Sequence, residues 1–532
     1  MTQQQVDVVV VGAGFAGLYG VYKFCERGFS VLGIEAAPDV GGVWFHNAYP
    51  GARCDVESID YSYSFSDKLQ QEWNWTEKYA GQSEILAYLA HVADRFDLRK
   101  DIRFDTQVIA ARRNPDDTHW LVETDAGDIV ACRYMVMASG SLSAIKDPDF
   151  AGLENFKGES YQTSRWPKQP VDFAGKRVGL IGTGSSGIQS GPRIAETAAH
   201  LTIFQRTATF TLPARNAPMD AEKFAAVKAR YPEYRKEARN FRIGSPLRST
   251  GKPSTDFSPG ERRKLLQEAW EVGGPSLLNT FTDSGRVKEA NDEVAGFVHE
   301  RIRDTVRDPE TAELLCPKDH PIGARRICID TGYYDSYNRP NVNLVDVRKD
   351  PIVRITPDGL QTQSGKEYPL DILVFALGFD AATGALTRIG IRNAQGLSIA
   401  EKWAHGAPTY LGLMAAGFPN LFIVTGPGSP SVLVNMVVAI EHDINWIASL
   451  IVHMRNEGLT RIEADADAEA EWTGHVAELG SKLLLTTASS YYMNSNIPGK
   501  ARYLIAYPLG WPPYREHVEK VVADGYRGFA LR

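Results

Sequence analysis

The chain has 532 residues, 43% hydrophobic and 23% charged, a soluble globular composition whose length, at about 100–200 residues per domain, points to two to four domains. Its 58 basic against 65 acidic residues give a net charge of −7, too mild and of the wrong sign for a protein whose main partner is nucleic acid. The five cysteines, Cys25, Cys54, Cys132, Cys316 and Cys328, are scattered and never form a C-x-x-C pair, which argues against structural disulfides and against thiol–disulfide chemistry.

Residues 6–35 read as strand, glycine turn, helix, strand. The N-terminal apolar run has no basic segment before it and ends in glycines, so it is a strand and not a signal sequence. With no stretch near the ~20 apolar residues of a membrane span, a cytoplasmic protein without membrane or nucleic-acid partners is expected. Val8 to Val11 is a continuous β-branched run, suited to a strand buried on both faces of a parallel sheet. The turn Gly12-Ala13-Gly14-Phe15-Ala16-Gly17 is a G-x-G-x-x-G fingerprint. In that pattern Gly12 permits the tight turn, Gly14 lets the backbone approach a pyrophosphate, and Gly17 lets helix and strand pack closely. Glu35 ends the next strand, about 20 residues on, where an acid bonds the ribose hydroxyls.

Short strands of a meander returning to this first sheet are expected over 102–125 and 129–139. A second unit of the same type follows, with a strand over 177–181, a turn from Gly182 through Gly184, Ser185 and Ser186 to Gly187, a helix over 188–199 and a strand over 201–204. Here the position of the acid is taken by Arg206, followed by Thr207. An acid would repel a 2′-phosphate, whereas arginine clamps it, so the second nucleotide is expected to be NADP, with Arg325 sharing the phosphate. Ser185 and Ser186 sit in the phosphate turn and read as phosphate donors, not nucleophiles. The Lys-, Arg-, Glu- and Ala-rich segment 214–321 has helical periodicity and reads as a helical insertion. Short strands and turns resume over 326–379, a buried helix is expected over 440–453, and 489–507 is a polar, aromatic loop.

Two dinucleotide sites in one chain imply a hydride relay from NADPH to a tightly held acceptor, for which FAD is the natural group at the first turn. A disulfide reductase lacks its thiol pair, and no H-E-x-x-H or Cys/His cluster offers a metal site. Oxygen is left as the electron acceptor.

The linker before the second turn, Phe156-Lys157-Gly158-Glu159-Ser160-Tyr161-Gln162-Thr163-Ser164-Arg165-Trp166-Pro167, resembles the F-x-G-x-x-x-H-x-x-x-W-P fingerprint of the type I Baeyer–Villiger monooxygenases. GGVW (41–44), YPGARCD (49–55), GTGSSGIQ (182–189), FQRT (204–207), ALGFDA (376–381), GPGSP (426–430) and NIPGK (496–500) are similar to that family as well. The resemblance implies an α/β protein with two Rossmann-like domains and a helical insertion in the second. It places an FAD domain at 1–140 and 376–532, an NADP domain at 141–213 and 324–375, and the insertion at 214–323. It also implies that NADPH reduces FAD, that oxygen then gives a C4a-peroxyflavin, and that the peroxyanion adds to a ketone carbonyl to yield an ester or lactone. On this reading Gly42, Trp44 and Asp55 lie on the flavin side, Arg326 is the active-site arginine, and Asp55 is the acid that positions it. A guanidinium suits the task because it stays charged and donates several hydrogen bonds. The partners so implied are a small ketone and O2, with no obligate protein partner.

Departures are also present. Gln162 replaces the fingerprint histidine, so a group that can change charge near neutral pH is lost from the interdomain linker. Tyr491 stands where the family commonly has a tryptophan contacting NADP, and His46 where an aromatic is common; His46 reads as a packed or surface residue. Alternatives are an N- or S-oxygenating flavin monooxygenase, a largely uncoupled NADPH oxidase, or a nucleotide sensor whose flavin is not turned over. Arg206→Ala should raise the KM for NADPH far more than that for NADH in steady-state assays; equal changes would remove Arg206 from 2′-phosphate recognition.

Overall fold

The computed structural model describes residues 4–532. The β-branched run forms the strand Gln4–Val11, which lies in the middle of an eight-stranded sheet between Val31–Ile34 and Ile129–Met137, parallel to both. Val8, Val9 and Val10 are fully buried, as a central strand covered on both faces requires. The expected meander is present as Val108–Arg113, Trp120–Thr124 and Ile129–Met137, paired antiparallel in sequence. Much later in the chain, Leu421–Ile423 adds to the last of these strands in parallel. The ends of the chain thus share one sheet and one core, in which Val10, Leu18 and Tyr63 pack with Ile444, Ile447 and Trp511.

The second unit is a five-stranded, wholly parallel sheet in the order Val342–Asp346, His200–Gln205, Arg177–Ile181, Ile372–Phe375, Glu159–Gln162. The helix expected over 188–199 begins earlier, at Ser185, because Gly184 is extended (φ −81°, ψ −169°) and serves as its N-cap. Ser185 and Ser186 are therefore the first helical residues, with their amides among those left free at a helix start. The helix expected over 440–453 runs Met436–Asn456, lengthened at its start by Asn435, whose side chain accepts from the Val437 amide at 3.1 Å.

The lysine- and arginine-rich segment does form helices, but they pack in two directions. Ala221–Lys228 and Tyr231–Ala238 place Phe224 and Tyr231 in the core of the first sheet. Pro259–Val272 and Lys288–Thr305 place Leu266, Val294 and Val298 in the core of the second. Hydrophobic periodicity reports an apolar face and not its partner, so one stretch of sequence hides this division.

Two connections join the sheets side by side, with Ile145 bridging Phe379 and the Asp380 amide donating to the Ala144 carbonyl at 2.8 Å. The YPGARCD loop is fastened to the second unit's helix. Tyr49 donates to Gln189 Oε1 at 2.7 Å, and Gln189 Nε2 donates to the Arg53 carbonyl at 2.9 Å. Gly51 makes the close approach possible: its φ is +83° and a Cβ there would lie 2.2 Å from the Gln189 carbonyl oxygen. Among the described residues no helix is long and apolar enough to cross a membrane. Gly51→Ala should cost about 1–3 kcal/mol through strain and displacement, read as a lowered thermal midpoint of the holoenzyme; an unchanged midpoint would show that the loop does not depend on this contact.

Candidate active site

The two glycine turns are built alike. Gly12 and Gly182 have φ of +106° and +109°, and a Cβ on either would lie 2.7 or 2.5 Å from the carbonyl oxygen of Ala138 or Ala376 in the neighbouring strand's exit. A Cβ on Gly17 or Gly187 would lie 1.8 or 2.1 Å from the carbonyl oxygen of Gly12 or Gly182, so only glycine lets each helix start beside its strand. Around Gly14 the surface is also bare, since it faces Gly42, whose φ is +54°. A Cβ on Gly184 would meet nothing within 4 Å and would project into open space. Both turns therefore leave a backbone cradle at a helix N-terminus, the arrangement that receives a pyrophosphate.

Glu35 directly follows its strand, which ends at Ile34, and is 6% exposed. Its carboxylate accepts from the amides of Ala13 at 2.6 Å and Ala37 at 2.8 Å. Burial raises its pKa while those amides oppose the shift. Each oxygen keeps a lone pair for a further donor, and Glu35 lines the same cavity as Gly12 and Gly14. Trp44 turns its Nε1 to the Tyr61 hydroxyl at 3.2 Å.

At the second turn, the Thr183 hydroxyl donates to the Thr207 carbonyl at 2.8 Å, and the Thr209 hydroxyl donates to the Thr183 carbonyl at 2.8 Å. These bonds fasten the segment that carries Arg206 to the glycine turn. Arg206 is exposed and Arg325 half-buried, both at the cavity wall. Burial lowers the Arg325 pKa, Asp319 opposes this, and Arg206 lowers it further; its buried Nε has no partner among the described residues. Two neighbouring guanidiniums with unsatisfied donors fit a doubly charged phosphate. Lys146, which the sequence reading did not single out, lines this region too and donates from Nζ to the Asn496 carbonyl at 2.5 Å. A lone lysine in a loop carries no pattern that would have marked it.

Ser186 Oγ lies 2.9 Å from Thr163 Oγ1, so the proposed phosphate donor already shares its hydroxyl with the interdomain linker. Next to it, Gln162 Nε2 donates to the Lys146 carbonyl, an amide-to-carbonyl contact that does not change with pH near neutrality. The linker also reaches the flavin side, where the Trp166 amide donates to the His46 carbonyl at 3.3 Å.

Asp55 and Arg326 are 271 positions apart in sequence and form one ion pair, with Arg326 Nε and Nη2 donating to Asp55 Oδ2 at 2.8 and 2.6 Å. The Asp55 carboxylate holds the guanidinium's pKa far above its usual value, against the cost of burial. The Arg326 side chain is 36% exposed and that of Asp55 13%, and the exposed part of the arginine is cavity surface. Its Nη1 has no partner among the described residues, so three of the five guanidinium N–H donors are not taken up by Asp55. Tyr491 packs against Tyr492, with ring centroids 4.5 Å apart, and against the cluster of Ala382, Ile505 and Ala506, and it too lines the cavity.

One continuous cavity of about 2150 Å³ takes in both glycine turns, Glu35, Arg206, Arg325, the Asp55–Arg326 pair and Tyr491. Drug-sized ligands occupy roughly 300–1,000 Å³, so this space accommodates two dinucleotides and a small substrate. The bare cradle at each turn, an acid at one and arginines at the other, fits FAD and NADP respectively. Among the described residues no group of three or more His, Cys, Asp or Glu side chains is arranged to hold a metal.

The family model described as flavin-binding monooxygenase-like matches residues 5–219. A 2-oxo-Δ3-4,5,5-trimethylcyclopentenylacetyl-CoA monooxygenase of Pseudomonas putida is 41% identical over 99% of this chain and 98% of its own length. A Baeyer–Villiger monooxygenase of Pseudooceanicola batsensis is 40% identical over 98% of this chain and 95% of its own. A phenazine N-monooxygenase of Lysobacter antibioticus is 37% identical over 99% and 97%. Among solved structures, an oxidized steroid monooxygenase bound to NADP superposes with a TM-score of 0.95 at 49% identity, covering 99% of both chains. With paired glycine cradles, the Asp55–Arg326 pair between them and full-length similarity of this degree, the chain belongs to the type I Baeyer–Villiger monooxygenase family.

Proposed function

We propose that this protein is an FAD-dependent monooxygenase that uses NADPH and O2 to convert a ketone to an ester or lactone. The observation that carries the reading is Arg326, held by Asp55 on the wall of the cavity both glycine turns open into, with three of its five N–H donors left over. In the overall reaction NADPH and a proton supply two electrons and two protons. One oxygen atom enters between the carbonyl carbon and its neighbour, and the other leaves as water.

Bound FAD supplies the passage of electrons from NADPH to oxygen. The chain's own residues do the rest. Gly12, Gly14, Gly17, Glu35, Gly42 and Trp44 hold the flavin dinucleotide, and Gly182, Gly184, Ser185, Ser186, Gly187, Arg206, Thr207 and Arg325 hold NADP. Arg326 stabilises negative charge on oxygen as it adds to the carbonyl, an electrostatic role that a permanently charged, fixed donor performs without reorganisation. Asp55 is a positioning residue that takes up two of the arginine's donors and aims the others. Tyr491 faces this space and offers a ring to the nicotinamide side or to the substrate.

The flavin unit is drawn from 1–140 and 376–532 and the NADP unit from 141–213 and 324–375, a division supported by the two separate cores. The helices of 214–323 lie across both. The cytoplasm suits the protein because all five cysteines are free, as in a reducing compartment.

N-oxygenation is the second reading, favoured by similarity to the phenazine N-monooxygenase. The Arg326–Asp55 pair weighs against it, because a nitrogen nucleophile needs no anion-stabilising guanidinium. NADPH consumption in air with cyclic, aliphatic and aryl ketones, and with tertiary amines and sulfides, distinguishes the two. Ester or lactone formation matched to NADPH use is expected, and N-oxide with no ester, or peroxide alone, would overturn the ketone reading. Arg326→Ala is expected to retain FAD and its anaerobic reduction by NADPH while losing at least about 100-fold in ester formation; full oxygenation by that variant would remove Arg326 from the mechanism.

A further inference from the structure

The cavity has more wall than the two cradles and the proposed catalytic arginine occupy. From Leu433, which packs with Tyr491 on the small cluster of Ala382, Ile505 and Ala506, the wall passes to Asn435, whose amide donates to the Ile243 carbonyl at 2.7 Å. It then reaches a region lined by Leu247, Leu278, Leu484 and Leu509 that carries two arginines, Arg242 and Arg286. This region is knit together by main-chain bonds, Trp511 amide to Arg242 carbonyl at 2.7 Å and Leu484 amide to Gly285 carbonyl at 3.0 Å. The backbone of Arg242 is closely seated: Gly510 has φ +89°, and a Cβ there would lie 2.4 Å from the Arg242 carbonyl oxygen.

The charge in this region is uncompensated. Arg242 makes one side-chain hydrogen bond, from Nη2 to the Pro508 carbonyl at 3.3 Å. Neither arginine has a carboxylate partner among the described residues, in a chain where most arginines do. The acids that line the cavity, Glu35, Asp55, Asp147 and Asp149, belong to the first turn, the Arg326 pair and the interdomain linker. Burial lowers the Arg242 pKa from its usual value, and Arg286 adds to the shift. A guanidinium nonetheless stays charged near neutral pH; both side chains reach an exposed part of the cavity wall, near enough for the charge of Arg286 to bear on Arg242, and an anion is the complement they lack. The cations suited to the NADP phosphate, Arg206 and Arg325, lie instead around the second glycine turn.

We infer that Arg242 and Arg286 form a recognition site for an anionic group, carboxylate or phosphate, carried on the tail of the ketone substrate while its carbonyl faces Arg326. The inference rests on the ketone reading of the site, which it deepens to a substrate class: an apolar ketone ending in an anion. The leucines accept the body of the molecule and the arginines its charged end, so a neutral ketone of the same size fills the cavity but leaves the guanidiniums unmet.

The test compares three ketones on one ring, 3-(2-oxocyclohexyl)propanoate, its methyl ester, and the phosphate monoester of 2-(3-hydroxypropyl)cyclohexanone. The expected result is a KM for one or both anions about tenfold or more below that of the methyl ester, the scale of a charge-assisted bond in such a site. Arg242→Gln and Arg286→Gln should each move that ratio toward one, with Arg242→Lys keeping part of it and flavin content reporting that the variants fold. Equal KM values in the wild type, or a ratio unmoved by both glutamine variants, would overturn the inference. So would weakened NADP+ binding in these variants, measured by protein fluorescence, since the arginines would then serve the nucleotide. Binding of the keto-carboxylate to the oxidised holoenzyme, followed by flavin absorbance, is measured beside turnover. Arginine-dependent binding with no oxygenation of any of the three would overturn the ketone reading and leave the anion site standing. Binding that ignores the arginines would do the reverse.

Discussion

A single charge-assisted contact joins the chemistry of this protein to its architecture. Asp55 lies in a loop leaving the first nucleotide unit and Arg326 in the segment returning from the helical insertion, and the two meet with 2.8 and 2.6 Å hydrogen bonds. Desolvating both charges is costly unless each remains paired, so the contact requires the two units to sit at one relative placement. The same contact consumes part of the guanidinium and leaves the rest facing the cavity. Stability of the junction and orientation of the donor proposed for catalysis are therefore one property.

Much of the neighbouring structure serves that placement. Gly51 lets the loop press on the helix of the second unit, and Tyr49, Gln189 and Arg53 lock it by side-chain and main-chain bonds. The linker touches the phosphate turn through Thr163 and Ser186 on one side and the flavin face through Trp166 and His46 on the other. Motion of one unit against the other would thus be felt at both cofactor cradles and at Arg326. In this junction Gln162 makes an uncharged contact with the Lys146 carbonyl, which holds the linker independently of proton concentration.

The parts of the site legible in sequence were those governed by local backbone geometry. A glycine at positive φ beside a strand exit has no substitute, and the spacing of three glycines is set by one helical turn, so Gly12, Gly14 and Gly17 and their counterparts Gly182, Gly184 and Gly187 announce themselves. The nature of the residue ending the following strand, Glu35 or Arg206, likewise follows from short-range spacing. Lys146 escaped notice because a solitary polar side chain in a loop carries no period or motif, and Thr163, Thr183 and Gln189, though inside recognisable motifs, have bonding partners across a gap that the motifs do not reveal. The division of the helical segment between two cores was hidden for the same reason.

By itself the sequence determined that there are two strand–glycine–helix units, one followed by an acid suited to a ribose and the other by an arginine suited to a phosphate, and it offered neither a thiol pair nor a metal-ligand cluster. These conclusions rest on turns and spacings of a few residues, where sterics leave no alternative. Only the tertiary structure decided that both cradles open into one cavity, that Arg326 is held by Asp55, and that Arg242 and Arg286 line that cavity without a carboxylate partner. Those facts arise from packing between segments hundreds of residues apart, where burial and charge compensation act on distance in space and not on distance along the chain.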